Sequence, residues 1–278
     1  MRTSLIVSTY NWPQALACCL ASIARQTRLP DEVIVADDGS REDTAECIRG
    51  FARDFPVPLH HVWQEDRGFR LARVRNLGIE RSRGDYLVFL DGDMLLHSEF
   101  VADHATIAAR GTWLQGGRLN ASRDEAARLL AGGRARFAPW MDFDAHLAGE
   151  LKREHALRLP WLARRRAQRT YGGAVMGCNM GVWREDIERI NGFDEAFEGW
   201  GHEDIDMALR LAHAGVGRRA LRFAGLAVHL WHRTRRPDAD AGLQPNDLLV
   251  ERTRESRRIR CERGLDGHRA AADEAVAA

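Results

Sequence analysis

The chain has 278 residues, of which 45% are hydrophobic and 29% charged, as in an ordinary globular protein with a substantial core. Its 41 basic and 40 acidic residues give a net charge of +1, without the basic excess that nucleic-acid binding requires. The five cysteines form no Cys-x-x-Cys pair, and no apolar run approaches the roughly 18 residues of a membrane span or the pattern of an export signal. We therefore expect a cytoplasmic protein with reduced thiols that does not bind nucleic acid.

Segments of strand and helix character alternate over the first hundred residues. Apolar runs predict four strands, at 5–9, 32–36, 59–63 and 86–90. Amphipathic periodicity predicts the helices between them, at 13–26, 44–55 and 71–83. Repeated β-α units of this length form a mostly parallel sheet flanked by helices, so the expected fold class is α/β and Rossmann-like.

The pattern loosens beyond residue 111, where pairs of glycines divide the chain into short pieces. Helices are predicted at 151–169, 205–214 and 248–261, and a short strand at 227–231. The polar, alanine-rich end of the chain predicts a helical tail that is disordered over its last ten residues.

Polar residues follow three of the predicted parallel strands, at the ends where α/β sheets bind their ligands. The three segments are Thr9-Tyr10-Asn11, Asp37-Asp38-Gly39-Ser40 and Asp91-Gly92-Asp93. Side chains two residues apart on an extended chain share a face, so Asp91 and Asp93 can converge on a magnesium or manganese ion that holds a diphosphate. Asp38 can accept hydrogen bonds from a nucleoside. Each segment alone is also ordinary turn chemistry.

A glycine-rich turn precedes the predicted helix at 205–214. It contains Trp200 between two glycines and is followed directly by Glu203 and Asp204. Acids are common in a first helical turn because the helix dipole favours them, but this does not account for the tryptophan. An aromatic ring on a tight turn suits stacking against a sugar, and a nearby carboxylate suits a base for a second substrate. With the strand-end acids, this pattern predicts metal-dependent transfer from a nucleotide-sugar to a hydroxyl.

Two further patterns leave alternatives open. His229 and His232 would face one metal ion on a helical turn, but would point to opposite faces on a regular strand. The segment from Arg158 to Arg169 contains five arginines. It is either a solvated helix face or a surface attracted to anionic lipid headgroups at the inner face of a membrane or to an acidic acceptor.

Taken together, these segments resemble the inverting GT-A glycosyltransferases of family two. The segments that carry the resemblance, in the order that the family has them, are 4–11, 37–40, 72–76 and 91–93. Residues 177–204 look like the C-terminal region of β-1,4-galactosyltransferases and bacterial chondroitin-polymerase-type enzymes. The resemblance covers roughly residues 3–235 and implies a single GT-A domain with a C-terminal helical tail.

The resemblance also implies roles for individual residues. At the UDP-sugar it implies Asp38 for the nucleoside, Asp91 against the ribose or the metal shell, and the pair Arg75 and Asn76 near the donor pocket. The strand-end residues Thr9, Tyr10, Asn11 and Gly92 are expected beside them. Those implied to hold Mn²⁺ or Mg²⁺ are Asp93, His229 and His232. At the acceptor, Asp204 is implied as the catalytic base, Glu203 as an acid that holds the acceptor, and Trp200 and Gly201 as the surface beside it. One departure is His202, where the galactosyltransferases usually have a glycine.

The implied reaction moves a hexose or N-acetylhexosamine, with inversion, from a UDP-sugar to a hydroxyl of a saccharide or glycolipid acceptor, in bacterial polysaccharide or lipopolysaccharide synthesis. Residues 1–110 would form the nucleotide-sugar-binding half, 111–236 the acceptor-binding and catalytic half, and 237–278 the tail. Two alternatives are a sugar nucleotidyltransferase, which would need a glycine-rich phosphate loop after the first strand, and a sugar-nucleotide-binding protein without catalytic activity, which would not need Glu203 and Asp204.

Overall fold

A computed structural model describes residues 1–137, 156–233 and 244–268. The strands are β1 (Thr3–Thr9), β2 (Glu32–Asp37), β3 (Leu59–Trp63), β4 (Tyr86–Asp91), β5 (Met94–Leu96), β6 (Thr112–Gln115), β7 (Leu119–Asn120), β8 (Arg169–Thr170), β9 (Asn179–Trp183), β10 (Gly217–Ala220) and β11 (Ala227–His229). The helices are α1 (Pro13–Ile23), α2 (Glu42–Ala52), α3 (Leu71–Arg81), α4 (Phe100–Ile107), α5 (Arg123–Leu130), α6 (Pro160–Arg166), α7 (Arg184–Arg189), α8 (Glu203–His213) and α9 (Pro245–Ser256).

Eight of these strands form one sheet, in the order β3-β2-β1-β4-β9-β6-β10-β8. Strands β1 to β4 run parallel to one another, and β10 runs parallel to β6. Strand β9 is antiparallel to both β4 and β6, and β8 is antiparallel to β10 at the edge. A smaller sheet has the order β5-β11-β7. The predicted α/β class with a mostly parallel sheet is confirmed.

The central strands are buried on both faces, which explains why their sequences are continuous apolar runs. In β1, Leu5 and Val7 belong to one apolar core cluster and Ile6 belongs to a second one. All three side chains are fully buried. The alternation follows from the two-residue period of a strand. The carboxyl ends of β1, β2 and β4 are thereby fixed side by side, with Thr9 opposite Asp37 and Ser8 opposite Asp91.

The elements predicted for the first hundred residues are present, with ends shifted by a few residues. The helix predicted at 151–169 is wrong in its extent, because α6 begins only at Pro160. A proline disfavours helical backbone at the preceding residue, and Leu159 has a φ of −132° and a ψ of 76°. Residues 151–155 lie outside the described residues, as do the last ten, for which we predicted disorder.

The C-terminal helix α9 starts at Pro245, three residues before its predicted start, and ends at Ser256. Arg257 then adopts a left-handed φ of 52°, which stops the helix before its predicted end at 261. In the described part of the chain, no helix combines the length and the apolar run that crossing a membrane would require.

A buried arginine, paired with an aspartate of the same helix, holds α8 against the loop that follows α7. The side chains of Arg210 and Asp206 are both fully buried, and Arg210 Nε donates to Asp206 Oδ2 at 2.7 Å. Arg210 Nη1 also donates to the carbonyl oxygens of Ile190 and Gly192, at 2.7 and 2.9 Å. A buried charge is tolerated only when it is paired and hydrogen-bonded, so this guanidinium fixes α8 in place.

We predict that Arg210→Met, which keeps the apolar stem and removes the charge, lowers the free energy of unfolding by about 3–5 kcal/mol, because Asp206 then loses its buried partner. Urea denaturation measures the change. The matched control is Arg254→Met on α9, which removes an exposed pair with Glu251 and should change stability by less than about 1 kcal/mol. Similar losses in both variants would contradict the role given to Arg210.

Candidate active site

A cavity of about 460 Å³ opens at the carboxyl ends of β1, β2 and β4. Its wall also includes residues from the start of α8 and from the segment that follows β11. The predicted site residues that line it are Thr9, Tyr10, Asp38, Arg75, Asp91, Gly92, Asp93, Trp200, Gly201, Glu203, Asp204, His229 and His232. The fold thus brings the strand-end acids, the two histidines and the tryptophan turn to one cavity, although they are far apart in sequence.

Two predicted site residues do not line the cavity. Asn11 has a left-handed φ of 48°, its amide donates to Ser40 Oγ at 2.8 Å, and its side-chain oxygen accepts from the Arg41 amide at 2.9 Å. It therefore ties together the loops that follow β1 and β2. Asn76 is fully buried, and its side-chain amide donates to and accepts from the backbone of Phe193, both at 2.9 Å. Asn76 thus lies on α3 and binds the loop between α7 and α8, away from the cavity.

Asp38 lies at one end of the cavity, directly after β2. Its Oδ2 accepts from the backbone amide of Arg70 at 2.9 Å, and its Oδ1 accepts from the side chain of Gln64. Burial raises the pKa of Asp38 above its ordinary value, against the lowering effect of these hydrogen bonds. Tyr10, on the next loop, donates from its hydroxyl to Asp66 at 2.9 Å. At this end of the cavity, the side chains of Asp38 and Tyr10 are therefore held in place by hydrogen bonds.

Asp93, His229 and His232 converge on one point. Both Nε2 atoms lie 3.3 Å from Asp93 Oδ2 and 3.2 Å from each other. The chain leaves the strand geometry after His229, the last residue of β11, and this turn lets both imidazoles point the same way. The spacing of the two histidines left open whether they face one point or opposite faces, and the structure shows that they face one point. Among the described residues, these three form the group of acid, histidine and cysteine side chains that could hold a metal ion.

The chemistry of this group fits a divalent cation. Asp93 Oδ1 is buried and has no hydrogen-bond partner in the protein, so a lone pair is left unused inside the cavity wall. Burial would raise the pKa of Asp93, but the two histidines outweigh it and lower that pKa. The hydrogen bond to Asp93 raises the pKa of His232. One carboxylate and two imidazoles, without a thiolate, match the ligands that manganese and other first-row metals accept.

Arg75 links the end of β4 to the opposite wall of the cavity. Its guanidinium is 1% exposed and donates to Asp91 Oδ1 at 3.2 Å and to Glu203 Oε1 at 3.0 Å. It also donates to the carbonyl of Gly177 at 3.3 Å, and a Cβ at that glycine would lie 2.8 Å from the guanidinium. Close approach of the arginine therefore requires glycine at 177. One buried cation spans the strand-end acids and the start of α8.

The turn before α8 presents two acids in different ways. Glu203 is buried against Arg75, and burial, with the charge of Asp204 acting in the same direction, raises the pKa of Glu203 to about 7. Asp204 is only half-buried, and its Oδ1 accepts from the backbone amide of Ile205 at 2.8 Å. Trp200 is 45% exposed beside them. The accessible carboxylate is therefore Asp204, next to an exposed aromatic ring.

Sequence reasoning missed several residues of the cavity wall. They are Ser8, Trp12, Phe69, Arg118, Met176, Cys178 and His202. Arg118 directly follows a pair of glycines, which is the signal that could have singled it out, since such pairs mark irregular backbone at sites. Its charge opposes the effect of Asp93 and so limits the increase in the pKa of the nearby His232.

The arginines of the segment from Arg158 to Arg169 do not form one face. Arg158 makes a bidentate pair with Asp103, at 2.7 and 3.0 Å, and Arg169 donates to the carbonyl of Gly215. Three arginines of α6, at 164 to 166, are exposed, and Trp161 on the same helix is 65% exposed. The two outer arginines thus have structural contacts, although Arg169 is also exposed, and the other three arginines of the segment lie on α6.

Two family models match the chain. The family model for glycosyl transferase family 2 matches residues 4–190, and the model for the N-terminal domain of galactosyltransferase matches residues 165–233. The first model alone covers more than half of the chain. The two matches overlap and together extend from β1 to the segment that carries His229 and His232.

Relatives and solved structures agree with these models. Validoxylamine A glucosyltransferase of Streptomyces hygroscopicus subsp. limoneus is 31% identical over 240 residues, which are 77% of this chain and 48% of that protein. Chondroitin synthase of Escherichia coli is 29% identical over 239 residues, covering 81% of this chain and 34% of the relative. The chain thus spans about half or less of these relatives.

The structure of GalNAc-T7 with UDP, GalNAc and Mn²⁺ superposes with a TM-score of 0.64 at 16% identity, over 91% of this chain and 48% of the other. This likeness bears on the fold, and confirms the GT-A architecture predicted from the sequence. On the family models and the relatives together, the chain belongs to glycosyl transferase family 2.

Proposed function

We propose that the protein is an inverting glycosyltransferase that moves a hexose or N-acetylhexosamine from a UDP-sugar to a hydroxyl of a saccharide acceptor. The observation that carries the proposal is the single cavity in which the group of Asp93, His229 and His232 faces the turn bearing Asp204. A two-substrate reaction requires such an arrangement, with separate walls for donor and acceptor. Residues 1–110 would supply the donor half, 111–236 the acceptor half, and 237–278 the tail.

On the donor side, Asp38 would bind the nucleoside, and Asp91 would lie beside the ribose. Asp93, His229 and His232 would hold Mn²⁺, since imidazole ligands suit manganese better than magnesium, which prefers oxygen. When bound there, the ion would supply positive charge against the diphosphate that leaves the sugar. GalNAc-T7, which has the same fold, was solved with UDP and Mn²⁺, and this supports the assignment.

On the acceptor side, Asp204 would accept the proton of the attacking hydroxyl. The hydroxyl oxygen then bonds to the anomeric carbon, and the bond between that carbon and the diphosphate oxygen breaks, its electron pair remaining on the UDP. Attack from the face opposite the diphosphate inverts the anomeric centre. Glu203 is held by Arg75 and would accept a hydrogen bond from the acceptor, and Trp200 would stack against a sugar ring.

The acceptor that we propose is a growing saccharide chain or a glycolipid of bacterial polysaccharide or lipopolysaccharide synthesis. The likeness to chondroitin synthase of Escherichia coli supports this choice. The exposed Trp161 and the arginines at 164 and 165 of α6 would bring the enzyme to an anionic membrane surface, where such acceptors are found.

We predict that UDP binding depends on the metal through Asp93 and the two histidines. Asp93→Asn should reduce UDP affinity in the presence of Mn²⁺ as strongly as chelation does, and His229→Ala should raise the Mn²⁺ concentration needed for UDP binding by about tenfold or more. Isothermal titration calorimetry measures both. Asp124→Asn, an exposed acid on α5, is the matched control and should bind like the wild type. Full UDP affinity without metal would contradict the donor assignment.

We predict that Asp204→Asn lowers the rate of sugar transfer by roughly 100-fold or more, because the amide keeps the shape but cannot accept the proton. UDP affinity should stay within about twofold, since this residue contacts the acceptor. The measurement is UDP release from a panel of UDP-sugars with Mn²⁺ and an oligosaccharide acceptor. The control is Glu198→Gln, an exposed acid of the same turn. Transfer at the wild-type rate by Asp204→Asn would place the base elsewhere.

We predict that the protein co-sediments with phosphatidylglycerol vesicles at low salt and that binding falls as salt increases. Exchange of both Arg164 and Arg165 for glutamate should abolish this binding. The same exchange at Arg252 and Arg254, on the exposed side of α9, should leave it unchanged. Wild-type protein that stays in the supernatant at low salt would contradict the membrane contact.

A further inference from the structure

Helix α9 lies outside both family matches, which end at residues 190 and 233. It nevertheless packs against α8, the helix that starts at the acids of the proposed acceptor side. Thr253 Oγ1 donates to Asp206 Oδ1 at 2.6 Å, and both residues are fully buried. Arg258, just after the helix, pairs with Asp194 at 2.8 Å. The end of α9 is thus fixed to α8 by buried polar contacts.

The beginning of α9 contacts the tryptophan turn itself. Asn246 is 5% exposed, and its side-chain amide donates to the carbonyl of Gly201 at 2.9 Å. Asp247 Oδ1 lies 2.9 Å from His202 Nε2. The other oxygen of Asp247 accepts from the amide of Gln244 at 2.8 Å and caps the helix. Two adjacent side chains of α9 therefore hold two adjacent residues of the turn.

The backbone of the turn explains why such contacts are needed. Gly199, Gly201 and His202 all have positive φ, of 79°, 92° and 77°. Glycine adopts this conformation at no steric cost and leaves the turn free to move, whereas a histidine in the left-handed region is strained and has to be held there. One end of the turn is fixed by the Gly199 amide, which donates to the carbonyl of Phe69 at 2.9 Å. The other end is fixed by α9.

We propose that α9 positions the acceptor side of the cavity, with Asn246 and Asp247 as positioning residues that hold Gly201 and His202. This inference rests on the proposed function, because it gives the turn its acceptor role. Fixing Gly201 and His202 sets the direction of Trp200 on one side and of Asp204 on the other. No contact of these two positioning residues reaches the metal-binding group in the described part of the chain, so donor binding is independent of them.

The test combines Asn246→Ala, Asp247→Ala and the conservative Asp247→Asn, whose one side-chain oxygen can still cap the helix while its NH2 group can donate to an unprotonated Nε2 of His202. Hydrogen exchange of peptides covering 199–206 reports the turn directly, with no substrate present. Both alanine variants should exchange faster there, and the KM for the acceptor should rise about tenfold, as expected for a misplaced subsite. UDP affinity should be unchanged. Asp247→Asn should restore most of the wild-type behaviour.

The matched control is Glu251→Ala, one turn further along α9, where the side chain is exposed and pairs with Arg254. It should leave both the exchange and the KM as in the wild type. Unchanged exchange over 199–206 in both alanine variants would overturn the inference, and so would a loss of UDP affinity equal to the loss of acceptor affinity. A wild-type protein that transfers no sugar would contradict the proposed function alone, since the exchange measurement would still decide whether α9 holds the turn.

Discussion

The buried guanidinium of Arg75 is the contact on which the arrangement of the cavity depends. It is almost completely removed from water, and its charge is balanced by Asp91 on one wall and Glu203 on the other. Removing such a cation would leave two carboxylates facing each other in a poorly solvated space, which is costly. The strand end and the start of α8 are therefore held at a fixed separation, and the proposed donor and acceptor walls with them. The cost of burying the arginine is offset by its ion pairs with these two carboxylates.

Strands β1 to β4 and helices α1 to α3 could be predicted from local pattern, and so could α8, β11 and α9, but most of the other elements could not. Strands β1 to β4 are apolar runs between helices, and their parallel order follows from the β-α repeat. Strand β9 is five residues long, and inserts antiparallel between β4 and β6. Its place is set by pairing with residues about 65 positions away in β6 and about 90 or more in β4, which no local periodicity records. Strands β5 and β7 of the smaller sheet were missed for the same reason, whereas β11 lies within the strand predicted at 227–231.

The candidate site shows the same division. Strand-end acids are readable because parallel strands end at one edge, and these residues line the cavity. Asn76 follows Arg75 in sequence, but neighbouring residues on a helix point about 100° apart, so it reaches Phe193 while Arg75 reaches the cavity. The spacing of the two histidines left their direction open until the end of β11 was known. The contact of α9 with the turn at 201 and 202 is invisible in sequence, since it joins residues about 45 positions apart.

We propose that one cavity binds a metal-held nucleotide on Asp93, His229 and His232 and leaves the turn with Trp200 and Asp204 open for the acceptor. A crystal structure with UDP and Mn²⁺, recorded with anomalous diffraction at the manganese edge, tests this most directly. We expect one manganese peak within bonding distance of a carboxylate oxygen of Asp93 and of both Nε2 atoms, with the diphosphate on its open side. A peak at the acids after β2, or UDP bound with no manganese beside Asp93, would contradict it.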